Sequence, residues 1–186
     1  MKKAVSKRVM CFVFAAALVF TTILTSLAGQ NRIQVHAEGS QTAVVSSGTT
    51  QWQYRDDNAV PAEGWKTSEA VTGGEWKTGA GSFGAKNGSI ADLGGGYTPQ
   101  VLLNQYIGGT SDDIPVYYFR TTFDVADPAK VTAITGTVIY DDAAVVYING
   151  QKIAGFDDGS FDSAGYGGSN ESTPKTGEIR YSDIQA

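Results

Sequence analysis

Val116-Tyr117-Tyr118-Phe119-Arg120-Thr121-Thr122-Phe123-Asp124-Val125 is the stretch whose reading decides the fold. Tyr117, Phe119, Thr121, Phe123 and Val125 lie on one side of a period-two zigzag, with Tyr118, Arg120, Thr122 and Asp124 on the other. That alternation belongs to a half-buried β-strand. Downstream, Asp127-Pro128 offers an N-cap followed by proline, enough for one helical turn. Residues 131–140 (VTAITGTVIY) read as the next strand, and Asp141-Asp142 breaks it. Residues 143–148 are apolar on both faces, as a central strand would be. Asn149-Gly150 follows and 151–154 returns; Asn-Gly between apolar runs is a strong hairpin signal because both turn residues take positive φ. Residues 156–175 read as a long loop of Gly, Asp and Ser, and 177–181 as a further strand.

Upstream the chain is broken by glycine at 73–74, 79–88 and 94–96, and again at 108–109. No stretch keeps a helical apolar period over a dozen residues, so the domain is read as all-β, beginning near Trp52. Residues 38–50 (EGSQTAVVSSGTT) are small and polar and read as a flexible lead-in. Residues 1–37 read as an export signal. Lys2, Lys3, Lys7 and Arg8 form a positive start, residues 9–20 are an unbroken apolar run, and Val35-His36-Ala37 is a small-x-small cleavage site. This places the protein outside the cell or on its surface, with membrane contact only through the signal segment if it stays uncleaved.

Removing that segment changes the composition decisively. It carries five basic residues (Lys2, Lys3, Lys7, Arg8, Arg32), the only His (His36) and the only Cys (Cys11). The remaining 149 residues hold nine basic against nineteen acidic residues, a formal charge of −10. A Ser-His-Asp triad, a cysteine nucleophile, a His/Cys zinc site and a disulfide scaffold are all excluded there. The charge also repels phosphate backbones and argues against nucleic acid.

Several motifs carry competing readings. Gly79-Ala80-Gly81-Ser82-Phe83-Gly84 fits G-x-G-x-x-G, but the glycines after it forbid the helix a dinucleotide site needs. It reads instead as a turn beneath the sheet with Phe83 as a core plug. Asp157, Asp158 and Asp162 offer carboxylates for a structural calcium, or are solvated turn residues. Paired carboxylates could run glycoside hydrolysis without histidine. Trp52, Tyr54, Trp65, Trp76, Tyr97, Tyr106 and Tyr166 could stack on sugars; core and edge packing is the reading favoured for the three tryptophans. Tyr166, between glycines, is the expected exposed platform. Trp65-Lys66-Thr67 recurs as Trp76-Lys77-Thr78, too close for a repeat architecture. Asn87-Gly88-Ser89 and Asn170-Glu171-Ser172 are sequons, which carry no weight if the source is bacterial.

Trp52-Gln53-Tyr54-Arg55-Asp56, Pro61, Trp65, the segment from Trp76 to Gly84, Tyr117 to Phe123, and Asp141-Asp142 through Val145-Val146-Tyr147-Ile148-Asn149-Gly150 occur in an order that resembles the galactose-binding-like jelly-roll modules of extracellular bacterial hydrolases. The likeness is closest to the module preceding calcineurin-like (purple acid phosphatase-like) metallophosphoesterase domains, with a second likeness to the sugar-binding jelly roll of some glycoside hydrolases. It covers about 52–181; the pattern's glycine after the second Asp is Ala143 here. It implies a β-sandwich over 51–186, lacking a closing strand at its C-terminal end and so a piece of a longer chain, with an open sheet edge and marginal stability. It also implies a non-catalytic accessory role beside a downstream metallophosphoesterase. A glycan or cell-wall ligand would lie on loops carrying Tyr166, Asp141, Asp142, Asp157 and Asp158, with structural calcium on Asp157, Asp158 and Asp162. The alternatives are a glycosidase or lyase using paired carboxylates, and a structural surface or adhesin domain.

Overall fold

The computed structural model describes residues 7–15, 32–37, 40–67, 76–125, 127–162, 165–166 and 173–182, with backbone alone for 7–15, 40–41, 160–162 and 165–166. Its strands, in chain order, are β1 (Lys7–Ala15), β2 (Arg32–Ala37), β3 (Ser40–Ser46), β4 (Gln51–Arg55), β5 (Lys77–Ala80), β6 (Phe83–Gly84), β7 (Val101–Leu102), β8 (Tyr117–Val125), β9 (Val131–Tyr140), β10 (Ala144–Ile148), β11 (Gln151–Phe156), β12 (Phe161–Asp162), β13 (Gly165–Tyr166) and β14 (Lys175–Tyr181). The only helical pieces among the described residues are 3-10 turns at Pro128–Lys130 and Asp158–Ser160. No helix there is long and apolar enough to cross a membrane.

Two larger sheets carry the fold, one ordered β11-β10-β1-β8-β4-β5 and one ordered β14-β9-β2-β3. All pairings within them are antiparallel. Ile33, Val35, Val45, Ile134, Val138 and Ile179 from the four-stranded sheet share one core with Trp52, Tyr54, Phe119, Phe123, Ala144, Val146 and Ile148 from the six-stranded sheet. This is the all-β, sandwich-like architecture expected of the alternating strands.

The local signals are realised closely. Asn149 and Gly150 take φ of 49° and 84°, joining β10 to β11 with Ile148 registered on Gln151. β10 is covered on both faces, Ala144, Val146 and Ile148 packing into the main core and Val145 and Tyr147 into the cluster with Trp65 and Tyr118, which explains why both faces are apolar. Pro128–Lys130 forms its single turn, although Asp127 makes no side-chain cap bond. The glycine segment passes beneath the sheet as expected, with Phe83 buried 5.0 Å from the ring of Tyr54 and 4.9 Å from that of Phe119. Glycine is required there by crowding: a Cβ on Gly81 would stand 2.7 Å from Val101 Cγ2, and one on Gly84 2.9 Å from Leu93 Cδ1.

Other expectations are revised. β8 does not alternate throughout: Tyr117 to Thr121 are buried consecutively, and alternation holds only from Thr122 onward. The reason is a second layer, in which the ring of Trp65 packs edge-on against Tyr118 at 5.5 Å. The recurring Trp-Lys-Thr triplets have a spatial meaning, since their tryptophans pair at 6.0 Å. Ser40–Ser46, polar enough to read as a lead-in, forms β3 and buries Val45, because Val44-Val45 supplies a short apolar run. The 156–175 stretch contains the β12–β13 pair, Phe161 on Tyr166 and Asp162 on Gly165. Within the expected signal, β1 pairs with both β8 and β10, and β2 lies between β3 and β9; residues 1–6 and 16–31 are outside the described residues, as is the sequon at 170–172.

Candidate functional site

The loops bearing the sequence-expected residues converge at one end of the sheets. β9 ends at Tyr140 and runs into Asp141-Asp142, β11 ends at Phe156 and runs into Asp157-Asp158, and β14 begins with Lys175 registered on Tyr140. The Phe156 ring stacks on Tyr140 at 5.4 Å and lies over Gly177, where a Cβ would stand 2.5 Å from the ring. The Tyr140 hydroxyl donates to Asp157 Oδ2 at 3.0 Å, and Lys175 Nζ donates to the same oxygen at 2.9 Å. The Lys175 bond, then the Tyr140 bond, holds the Asp157 carboxyl below its ordinary range. Asp158 is in contact with Lys152, which raises the lysine's pKa.

These partners bear directly on calcium. Two lysines already supply the positive charge at Asp157 and Asp158. Among the described residues, no three His, Cys, Asp or Glu side chains gather to hold an ion. Asp141 and Asp142 are half-buried at the same end. The side chains of Asp162 and Tyr166 lie outside those described.

A second surface escaped the sequence reading. On the outer face of the four-stranded sheet, register aligns Gln34 with Thr135 and Thr135 with Arg180, while Thr137 is opposite Glu178. With Arg32 and Tyr181 these residues line an open groove of about 410 Å³. Arg180 Nε donates to Glu178 Oε2 at 3.0 Å, and His36 Nε2 is 2.6 Å from Thr135 Oγ1. Gly136 lies on the opposite, core-facing row between Ile33 and Ile179, where a Cβ would stand 2.8 Å from the Arg32 carbonyl oxygen and 3.2 Å from Ile33 Cγ1. The signal in the sequence was the alternation of Thr135 and Thr137 with Glu178 and Arg180, but those pairs meet only through strand register.

The aromatic candidates divide sharply. Trp52 and Trp65 are buried and Trp76 half-buried, so all three pack rather than stand open. Lys66 Nζ sits 4.1 Å above the Tyr147 ring and Arg55 Cζ 6.0 Å from Trp76, closing that layer with cations. Arg55 also donates from Nε to Asp57 Oδ1 at 3.1 Å and holds the Asp57 carboxyl low despite its partial burial. Tyr97 packs against Leu93 and Ile139, whereas Tyr106 is exposed.

The class these observations define is an all-β, sandwich-like domain with a polar groove on one sheet and a carboxylate–lysine cluster at one end. No protein-family model matches the chain, and no curated protein or solved structure matches it either.

Proposed function

We propose that this chain is a non-catalytic binding domain of an exported multidomain hydrolase, of jelly-roll type, that keeps a neighbouring catalytic domain close to an extracellular glycan. The groove carries this reading. Arg180, Glu178, Gln34, Thr135 and Thr137 set donors and acceptors side by side across three strands. Neighbouring donors and acceptors suit the vicinal hydroxyls of a sugar. Tyr181 lies on the inward-facing row with Ile179 and packs against the core, so hydrogen bonding rather than ring stacking is what the groove offers.

Neither Asp57 nor Asp157 suits the acid role of a carboxylate pair. A glycosidase acid needs a raised pKa. Asp57 and Asp157 are instead drawn downward, by Arg55 and by Lys175. The identity of the neighbouring hydrolase as a metallophosphoesterase rests on the segment resemblance alone.

Binding of the full chain to insoluble cell-wall polysaccharide, followed by calorimetry with soluble oligosaccharides, tests the function. Arg180→Ala should weaken binding about tenfold, as loss of a charged hydrogen-bonding group does. Loss with Tyr166→Ala and not with Arg180→Ala returns the site to the loops. A stable chain that binds no glycan is a structural spacer.

A further inference from the structure

We propose that the space between β8 and β10 is a binding site for an extended peptide strand: Lys7–Ala15 fills it in the unprocessed chain, and an apolar strand supplied in trans fills it once that segment has been removed. The inference rests on the export reading of the N-terminal segment and on sheet topology. β1 is antiparallel to β8 from Lys7↔Val125 to Ala15↔Tyr117, and to β10 from Cys11↔Ile148 to Ala15↔Ala144. It is the sole bridge between β11-β10 and β8-β4-β5 in the described sheet. The same residues carry the apolar run expected to be cleaved during export. One segment cannot both leave with the signal and stay in the sheet.

Removing β1 leaves two facing edges, roughly 10 Å apart at two strand spacings. These are interior strands, not the short or charged edges that proteins tolerate. Phe119, Ala144 and Val146 on them are 0% exposed with β1 in place, so removing it uncovers apolar side chains along with unpaired amides and carbonyls. β8 and β10 are both antiparallel to β1 and therefore parallel to each other. Closing the gap directly would demand a different hydrogen-bond pattern and a shift of half the sheet. An incoming antiparallel strand satisfies both edges without moving either, which is strand addition made from two sides.

The register specifies the ligand's chemistry. Position 8 of the strand lies opposite Asp124, where a basic residue completes an opposite-charge cross-strand pair. Positions 9–15 face β8, and positions 11–15 also face β10, and all are apolar in the resident strand. The partner is thus a peptide with a basic start and about seven aliphatic or aromatic residues, free of proline.

The test uses the full chain with a specific protease site inserted between Ala15 and Arg32. After cutting, the N-terminal piece should co-elute with the remainder. A labelled peptide of residues 5–17 in excess should then replace it, read by fluorescence anisotropy. The same peptide carrying Val13→Pro should bind on the order of 100-fold more weakly, since proline removes a ladder donor and clashes inside a sheet. Separate elution with an unchanged thermal transition overturns the site, as does equal binding of the proline peptide. Mass spectrometry of the exported protein's N-terminus isolates the export reading. Absence of residues 7–15 there supports exchange in trans, whereas their retention confines the strand to its own chain and overturns the trans claim.

Discussion

Lys77 Nζ lies 2.7 Å from Asp56 Oδ1 and 3.0 Å from Oδ2, joining a carboxylate that is 1% exposed to a lysine that is 43% exposed. Asp56 Oδ2 also accepts from the Asn104 backbone N–H at 2.8 Å, and Asn104 Nδ2 donates to the Asp56 carbonyl at 3.3 Å. The Tyr117 hydroxyl donates to the Asn104 carbonyl at 2.9 Å. One buried carboxylate therefore ties β4 and β5 to the segment after β7 and, through Asn104, to β8.

Lys77→Met should destabilise the domain by about 2–3 kcal/mol in urea unfolding. That is less than the ~3–5 kcal/mol of fully buried pairs, because water screens part of the lysine. Adding Asp56→Asn should recover part of the loss, because the neutral amide still accepts from Asn104 while no unpaired charge stays buried.

Phe83→Ala should cost about 3–5 kcal/mol, since it empties the contact between Tyr54 and Phe119 under the sheet. Val60→Ala, at a 61% exposed position, should stay within about 0.5 kcal/mol. Equal effects in the two variants would remove Phe83 from the core.

Two glycines separate backbone strain from steric clash. Gly109 has φ +79° with open space around it, so Gly109→Ala should cost about 1 kcal/mol. Gly150 has φ +84° and a Cβ there would stand 2.7 Å from Thr67 Cγ2, so Gly150→Ala should cost more. Thr67→Ser in that background should return the loss to about 1 kcal/mol, since serine keeps the hydroxyl that donates to the Gly64 carbonyl at 3.2 Å.

The Asp157 carboxyl should titrate below its ordinary 3.8, chiefly because Lys175 donates to it. For a depressed carboxyl, the favourable contact is complete above the unfolded pKa and is lost as pH falls through the folded one. Carboxyl NMR should show the midpoint rising in Lys175→Met and rising less in Tyr140→Phe. An unmoved midpoint in Lys175→Met would remove the lysine as its cause.

Much of this molecule is legible in its sequence, and for a common reason. The strands at 117–125 and 131–140, the Asn149-Gly150 hairpin, the buried Phe83 and the pairing role of β10 rest on alternation and turn chemistry, which neighbouring residues settle among themselves. The convergence of Tyr140, Asp157 and Lys175 needed the register between β9 and β14, and the groove needed Gln34, Thr135 and Arg180 brought into one row from three distant segments. Sequence alone determined an all-β chain, because side-chain period and turn φ are local. Only the tertiary structure decided which cation neutralises which carboxylate, which face holds a groove and which strand sits between β8 and β10, because these depend on pairings between residues far apart in the chain.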